Sequence, residues 1–501
     1  MMNRTDSFVK SITDGNTFKG DFITLGSAIL DGQTITNTFV KTPLKTMNRH
    51  GLIAGATGTG KTKTLQVLAE NLSEKGIPVL LMDIKGDLSG LAQPSPGHAK
   101  IGLSFDPKAF PVEIMSLSKE DGIRLRATVS EFGPVLLSRI LDLSDAQSGV
   151  VAVIFKYCDD NKLPLLDLKD FKKVLQYATD EGKKEFQDEY GRISTASTGA
   201  ILRKVVELEQ QGAELFFGEK SFEVEDLTRI DTNGRGYINI IRLTDIQDRP
   251  KLFSTFMLSL LAEIYETFPE QGDAERPELI MFIDEAHLIF NEASKALLNQ
   301  IESIVKLIRS KGIGLYFVTQ NPTDVPEAVL SQLGLKVQHA LRAFTAKDRK
   351  AIKLTAQNYP DTDFYDTAEV LTSLGIGEAL VSALDEKGRP TPLAATMMRA
   401  PMSRMDVLTP SELSTLYSES KLVKKYNEEI DRESAYEMLN AKIEKAEEIK
   451  AREEERLEKE KERKSSRKSS GSRNKRQNPI VKVLTSATFI RAVFGILKKV
   501  I

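Results

Sequence analysis

HGLIAGATGTGKTKTLQVLAENLSEKGIPVLLMD, residues 50–83, has a glycine-rich loop between two apolar segments. An apolar segment leads into the glycine-rich loop 55–62, and the apolar spacing after the loop predicts a helix that ends at Gly76. The apolar segment 77–87 is then predicted to be a buried strand that ends at Asp83. A strand, a loop, a helix and a second strand in this order form a βαβ unit, which builds parallel sheets.

The loop GATGTGKT (55–62) matches the phosphate-binding pattern G-x-x-x-x-G-K-[ST] between a strand and a helix, which is the setting that this motif requires. Its backbone N–H groups can form an anion nest, and the positive end of the helix adds to it. Lys61 would reach the β- and γ-phosphates, and Thr62 would place its hydroxyl on Mg²⁺. The alternative is a glycine-rich turn that only packs. The residues predicted to contact the nucleotide are Gly55, Ala56, Thr57, Gly58, Thr59, Gly60, Lys61, Thr62 and Thr64.

A second motif, LIMFIDEAH (279–287), places two acids at the end of an apolar strand. Ligands bind beyond the carboxyl ends of the strands in open α/β sheets. Asp284 is expected to hold Mg²⁺ through a water, and Glu285 is expected to polarise the attacking water as general base. The acid pair therefore indicates ATP hydrolysis. The alternative is a solvated helix start, where Asp and Glu are also common.

Two further polar residues end predicted strands. Asp83 would face the same pocket if its strand neighbours the strand that precedes the loop 55–62. The alternative for Asp83 is a carboxylate that caps a turn or a helix. Gln320 ends the segment GLYFVTQ and would sense the γ-phosphate or orient water, whereas the alternative is an amide that hydrogen-bonds within a turn.

Two arginines are candidates for stabilising the charge of a transferred phosphoryl group. Arg309 closes the predicted helix 295–312, and Arg342 lies in HALRAF. Such arginines often act on the nucleotide of a neighbouring subunit, which requires a ring. The alternative for each is an ordinary helix-end or surface cation.

The remaining apolar segments alternate between strands and helices, which predicts a doubly wound α/β core with a mostly parallel sheet and helices on both faces. Between residues 107 and 230 the apolar spacing is helical, including AFPVEIMSL at 109–117, with Asp142, Ser144 and Asp167 as candidate caps. The predicted segments are a short N-terminal β element (1–45), an ATPase core (46–106 and 231–400), a helical insertion (107–230), a C-terminal helical segment (401–440), a charged helix or disordered linker (441–477) and an amphipathic C-terminal helix (478–501).

Composition limits the possible classes of function. The 501 residues include one cysteine and four histidines, which excludes a disulfide framework and zinc fingers, and argues against a histidine-rich metal site. The 69 basic and 71 acidic residues give a net charge of −2, so a basic nucleic-acid footprint can only be local. We see neither an apolar core of signal-peptide length at the N-terminus nor a run of about 18 apolar residues, so a cytoplasmic protein is expected.

The combined motifs resemble the HerA/FtsK group of P-loop ATPases, which have a RecA-like fold. The resemblance covers about residues 20–400 and looks closest to a bacterial family of HerA-like helicase-domain proteins. It rests on GATGTGKT, DIKGD (83–87), the helical insertion, IDEAH (283–287), RSKGIG (309–314) and TQNP (319–322), and for the closer match on RSKGIGLYFVTQNPTDVP and KVQHALRAFTAKDRKAIK.

This resemblance implies a homo-oligomeric ring, a hexamer, that uses ATP and Mg²⁺ to move along double-stranded DNA. Lys61 and Thr62 match the Walker A pair of the group, and Asp284 with the adjoining Glu285 matches its Walker B pair. These four residues would therefore hold the triphosphate, the metal ion and the attacking water.

The other candidates also take roles from the resemblance. Asp83 matches an additional strand-end acid of the group, Gln320 its polar sensor, and Arg309 the arginine finger that acts on the neighbouring subunit. HerA-type motors carry an N-terminal β-barrel that serves assembly and nuclease docking. Only about 50 residues precede the loop here, which is too few for such a barrel and leaves a nuclease partner unassigned.

Two functional hypotheses follow. The first is an ATP-driven ring motor that translocates on or remodels duplex DNA. The second is a nucleotide-switched scaffold or a peripheral membrane ATPase without motor activity, in which the tail 478–501 contacts a partner subunit or a membrane surface.

Overall fold

The computed structural model describes residues 3–97, 106–117, 120–244, 249–272, 274–292, 295–428, 430 and 432–468. The chain divides into two units, of which the first reaches Leu439 and the second begins at Asn440. The sheet and both predicted motifs belong to the first unit.

The strands of the described residues form a single sheet. They are β1 (Phe22–Leu30), β2 (Gln33–Pro43), β3 (Gly51–Ala54), β4 (Val79–Asp83), β5 (Val112–Ser116), β6 (Ile123–Arg124), β7 (Ile238–Arg242), β8 (Leu279–Ile283), β9 (Ile313–Thr319), β10 (Leu335–His339), β11 (Glu378–Ser382) and β12 (Ala394–Met398). Their order across the sheet is β2-β1-β12-β11-β10-β3-β9-β8-β4-β7-β5-β6.

Helices occupy most of the remaining described chain. They are α1 (Arg4–Gly15), α2 (Lys61–Glu74), α3 (Val129–Ile140), α4 (Asp145–Asn161), α5 (Leu168–Thr179), α6 (Lys183–Glu189), α7 (Thr195–Gln210), α8 (Pro250–Thr267), α9 (His287–Glu292), α10 (Lys295–Ile308), α11 (Glu327–Leu330), α12 (Ala346–Ala356), α13 (Thr367–Ser373), α14 (Pro410–Glu419), α15 (Lys421–Tyr426) and α16 (Ala435–Lys468).

The sheet has a parallel part and an antiparallel part. From β10 through β3, β9, β8, β4, β7 and β5 to β6, every neighbouring pair runs parallel. The strands β2, β1, β12 and β11 extend the sheet with antiparallel pairs. All residues of β4, β8 and β9 are buried, so both faces of the central sheet are covered. The predicted α/β, P-loop NTPase (RecA-like) fold with a mostly parallel sheet is confirmed.

The βαβ unit has the predicted elements, but its two strands are not neighbours in the sheet. Helix α2 starts at Lys61, and Gly76 follows its end with a left-handed φ of 72°, as its position after the helix predicted. Strand β4 pairs with β7 and β8, whereas β3 pairs with β9 and β10. The condition set for Asp83, that its strand neighbours the strand before the loop, is therefore not met, because β9 and β8 lie between them.

One segment of the predicted helical insertion is a strand. VEIMS within 109–117 forms β5, which is buried along its length and pairs in parallel with β7. A short apolar run fits a buried strand as well as a buried helix, so spacing alone could not separate the two. Helices α3 to α7 follow it, and Ser144 and Asp167 are N-caps as predicted. Asp142 is not a cap, because it lies in the turn after α3 with a positive φ of 49°.

The N-terminal hairpin is part of the main sheet. Strands β1 and β2 are joined at Asp31 and Gly32, which both have positive φ, the conformation that favours an Asp-Gly pair in a two-residue hairpin turn. Pairing of β1 with β12 joins this hairpin to the rest of the sheet. Helix α1 precedes the hairpin and was not predicted.

The C-terminal region is helical as far as it is described. Helix α16 contains the predicted charged helix and begins earlier than the charge pattern suggested, at Ala435. The amphipathic helix predicted for 478–501 and the linker beyond Lys468 lie outside the described residues. None of the described helices is both long and apolar enough to span a membrane. The predicted segment boundaries remain predictions.

Candidate active site

The loop 55–62 is anchored by the strands on either side of β3. The Gly55 N–H donates to the Thr319 carbonyl of β9 at 3.3 Å, and the Ala56 N–H donates to the Ala340 carbonyl after β10 at 2.8 Å. Gly55 has a φ of 151°, and a Cβ there would lie 2.5 Å from the His339 Cβ. Only glycine therefore fits at the point where the loop leaves β3.

Helix α2 presents its amino end to this loop. The first N–H groups of a helix have no acceptor within the helix, so they are available to an anion. The Lys61 ammonium lies within the loop and donates to the carbonyls of Gly55 and Ala56 at 2.7 and 3.1 Å. Burial, followed by repulsion from Lys85, lowers the pKa of Lys61. An anionic phosphate beside Lys61 would relieve both effects.

A buried histidine packs beside the loop. His339 Nδ1 lies 2.9 Å from the Glu378 carbonyl, and its Nε2 lies 2.9 Å from the Thr64 hydroxyl. Burial lowers the pKa of His339 to about 4, so the ring is neutral. Because a carbonyl only accepts, Nδ1 carries the hydrogen and Nε2 accepts from Thr64. Thr64, predicted to contact nucleotide, is thus buried against His339, and the structure gives it a supporting position under the loop.

The two acids of the second motif lie at the same edge of the sheet as this loop. Strand β9 pairs in parallel with both β3 and β8, so β3 and β8 are about 10 Å apart and end at one edge. Attraction from Glu285 and Asp284 acts on Lys61 across this distance. The structure thus brings the loop and the acid pair to one edge of the sheet.

Asp284 and Glu285 are both almost completely buried. An Asp284 oxygen accepts the Glu285 N–H at 2.9 Å. Burial raises the pKa of Asp284 to about 7, and the neighbouring Glu285 carboxylate adds to the effect while Lys85 opposes it. Glu285 has a positive φ of 46°, an uncommon conformation for this residue type. Uncommon backbone conformations cluster at functional sites.

Lys85 is the direct partner of Glu285. Its Nζ lies 2.6 Å from Glu285 Oε1, and its side chain is 40% exposed, whereas that of Glu285 is 9% exposed. The other carboxylate oxygen, Oε2, is buried without a hydrogen-bond partner among the described residues, although His287 Nδ1 lies 3.3 Å away. Oε2 is therefore the acceptor that could receive a hydrogen bond from water.

Asp83 shapes the turn that carries Lys85. Its carboxylate accepts the backbone N–H groups of Gly86, Asp87 and Leu88 at 2.7, 3.3 and 3.1 Å. Burial raises the pKa of Asp83 to about 6. The structure thus supports the turn-capping alternative for Asp83, next to Asp284 on the neighbouring strand β8.

Gln320 lies at the carboxyl edge of the sheet, between the ends of β3 and β8. It follows β9, the strand between β3 and β8, and its side chain is exposed. In the turn after β9 the side-chain acceptor is the Asp324 carboxylate. It accepts hydrogen bonds from the Thr319 hydroxyl at 2.6 Å and from the Asn321 N–H at 3.1 Å. The described structure therefore does not support a turn-forming role for the Gln320 amide.

The two arginine candidates lie at opposite edges of the sheet. Arg309 is exposed and precedes β9, so it lies at the amino edge, away from the loop 55–62. Arg342 is exposed and follows β10, at the carboxyl edge. The seven residues of β9 separate the two edges by about 20 Å. Arg309 therefore cannot reach the loop of its own chain.

The predicted metal donors suit Mg²⁺, which binds oxygen ligands and is usually held by one or two protein groups together with phosphates. The Thr62 hydroxyl makes no hydrogen bond within the described residues, and Asp284 supplies a buried carboxylate. No group of three or more His, Cys, Asp or Glu side chains in the described chain is arranged to hold a metal ion. The two oxygen donors Thr62 and Asp284 fit a metal that is shared with a nucleotide.

The family model for the helicase HerA-like C-terminal domain matches residues 29–496. The chain belongs to this HerA-like family. Two relatives carry the name DNA double-strand break repair helicase HerA. One is from Sulfolobus acidocaldarius and is 23% identical, and the other is from Saccharolobus solfataricus and is 26% identical. Each alignment covers 69% of this chain and 64% of the relative, so the chain matches less than two thirds of the length of these relatives.

Solved structures show the same fold at low identity. The bacterial conjugative coupling protein TrwBΔN70 aligns with a TM-score of 0.51 and 16% identity, over 80% of this chain and 94% of that chain. VirB4 of Thermoanaerobacter pseudethanolicus aligns with a TM-score of 0.50 and 18% identity, over 79% of this chain and 99% of that chain. These neighbours place the HerA-like chain in the RecA-like P-loop fold.

Sequence reasoning missed two residues of this site. Lys85 was quoted only as part of DIKGD, and His339 only within the segments HALRAF and KVQHALRAFTAKDRKAIK, without a role for either residue. A lysine two residues after the strand-end acid Asp83 was the available signal for Lys85. Nothing in the sequence near His339 indicates that it lies under the loop, because its partners Thr64 and Glu378 are distant along the chain.

Proposed function

We propose that this protein hydrolyses ATP and uses the energy to translocate on or remodel double-stranded DNA, as a homo-oligomeric ring. The observation that carries the proposal is the convergence of Lys61 with the acids Asp284 and Glu285 at the carboxyl edge of one parallel sheet. Membership of the HerA-like family supports DNA as the polymer, since the relatives are named as DNA repair helicases.

In the proposed mechanism the loop 55–62 and the amino end of α2 bind the triphosphate. Lys61 leaves the carbonyls of Gly55 and Ala56 and neutralises charge on the β- and γ-phosphates. Thr62 and Asp284 would hold Mg²⁺, which offsets the remaining negative charge. Glu285 accepts a proton from the attacking water, with Oε2 as the acceptor. Gln320, between these groups, orients the water or the γ-phosphate.

The position of Arg309 supports the proposal of a ring. About 20 Å separate it from the loop of its own chain, so an arginine finger at this position acts only on a neighbouring subunit. We propose a hexamer in the cytoplasm, in which the finger of one subunit completes the site of the next.

Steady-state ATP hydrolysis with and without duplex DNA tests this function. Lys61→Ala should abolish nucleotide binding or turnover. Glu285→Gln should bind ATP but lower kcat by about a hundredfold or more, because it removes the general base. Duplex DNA at low salt, where phosphate contacts are strongest, should stimulate the wild type.

Two results would contradict the proposal. Retained turnover in Lys61→Ala would refute the assignment of the loop. Hydrolysis without any DNA stimulation at low salt would refute the motor and favour the nucleotide-switched scaffold. Lys45→Met serves as the control, because Lys45 pairs with Glu275 at 2.6 Å and precedes β3 at the other edge of the sheet.

A further inference from the structure

The ion pair between Lys85 and Glu285 couples the general base to a residue outside both motifs. The distance of 2.6 Å between Lys85 Nζ and Glu285 Oε1 is that of a charge-assisted hydrogen bond. Burial lowers the pKa of Lys85, but the bond to Glu285 and attraction from Asp284 outweigh it, so the net shift is upward. Lys85 is therefore charged while it holds this carboxylate.

The backbone on which Lys85 stands is held in place. Asp83 binds the N–H groups of the following residues, and Gly86 adopts a left-handed φ of 75° with Thr244 packed beside it. The lysine side chain, by contrast, is 40% exposed at the site. A fixed backbone with a half-exposed, flexible side chain lets the ammonium exchange partners without moving the turn.

Lys85 lies near enough to Lys61 for the two ammonium groups to repel each other. Repulsion from Lys85 is the second cause, after burial, of the lowered pKa of Lys61. An anion bound near both ammonium groups, beside the phosphate-binding loop, would relieve this repulsion. A γ-phosphate, which carries more charge than one carboxylate, can compete with Glu285 for Lys85.

We infer that Lys85 is a γ-phosphate sensor: without a γ-phosphate its ammonium holds Glu285 Oε1, and with one it moves to the phosphate and releases the carboxylate. The inference rests on the proposed function, since it requires that the triphosphate occupies the loop 55–62. Glu285 would then become a free base only in the site that holds ATP, and a site with ADP would keep it paired.

The test measures the affinity of two nucleotides in the presence of Mg²⁺, by calorimetric titration of the full chain. One is the non-hydrolysable β,γ-imido analogue of ATP, and the other is ADP. Lys85→Met should weaken binding of the analogue about tenfold or more and change ADP affinity less than twofold, because ADP lacks the contacted phosphate. Lys85→Arg should restore most of the affinity for the analogue, and Lys45→Met should change neither.

A second variant keeps the inference testable if Lys85→Met does not fold. Glu285→Gln removes the charge that competes for Lys85, so it should tighten binding of the analogue and leave ADP unchanged. The double variant with Lys85→Met should lose this gain. Equal effects on both nucleotides, or no effect of Lys85→Met, would overturn the sensor. Failure of the wild type to bind either nucleotide would instead overturn the proposed function.

Discussion

Arg309→Ala distinguishes an ATPase that needs a neighbouring subunit for turnover from one in which each subunit hydrolyses ATP alone. Arg309 lies at the amino edge of β9, about 20 Å from the loop 55–62 of its own chain, which exceeds the reach of an arginine side chain. Arginine fingers contribute about 10³-fold or more to turnover. We therefore expect Arg309→Ala to lower kcat by about that factor while binding the β,γ-imido analogue as the wild type does.

The assay mixes two inactive variants. Lys61→Ala lacks a working loop but keeps Arg309, whereas Arg309→Ala keeps its loop and lacks the finger. In a ring assembled from equal amounts of both, about one quarter of the interfaces join an intact loop to an intact finger. Turnover should therefore recover to about a quarter of the wild-type value, although each variant alone is inactive.

The absence of recovery in assembled mixed rings would refute the trans role. Arg342 provides the rival outcome, because it follows β10 at the carboxyl edge. If Arg342 is the finger, Arg342→Ala will lose turnover and Arg309→Ala will retain it. Sizing of the mixed sample by mass verifies that subunits of both kinds share one ring.

Further predictions concern the loop and the core. Gly55→Ala should lower the melting temperature of the nucleotide-free protein more than Gly58→Ala, since a Cβ at Gly55 meets His339 at 2.5 Å and one at Gly58 meets nothing within 4 Å; equal shifts in a thermal scan would contradict this. Burial, together with the nearby carboxylates of Glu131, Glu225 and Glu266, raises the pKa of Glu263 to about 7. The unfolded chain releases this proton at lower pH than the folded chain, so the stability contribution of Glu263 falls as pH rises from about 4.5 to 7. Glu263→Gln should thus raise the melting temperature at pH 8 and have a smaller effect at pH 4, and a larger gain at pH 4 would contradict the assignment.

The sequence predicted well what depends on neighbouring residues. The loop 55–62 was located because its glycines, its lysine and the helix after it are contiguous, and the structure has all three in place. Ser144 and Asp167 were found as caps for the same reason, since a cap bonds within three residues of itself.

The errors arose where pairing between strands that are distant along the chain determines the structure. VEIMS was taken for part of a helix because its apolar run is short, and only its pairing with β7 makes it a strand. Asp83 was assigned to the nucleotide pocket on the condition that β4 lies beside β3. The sheet inserts β9 and β8 between β3 and β4, and the sequence carries no local signal of that order.

Local sequence patterns identify the residues at strand ends and helix starts, because periodicity and turn chemistry act over a few positions. Which of those ends meet depends on the packing of the whole sheet. Lys85 and Glu285 belong to distant segments, and they form an ion pair only because β4 and β8 are adjacent in the sheet. Arg309 is separated from its own nucleotide loop for the same physical reason: the direction and order of parallel strands result from packing of the whole sheet.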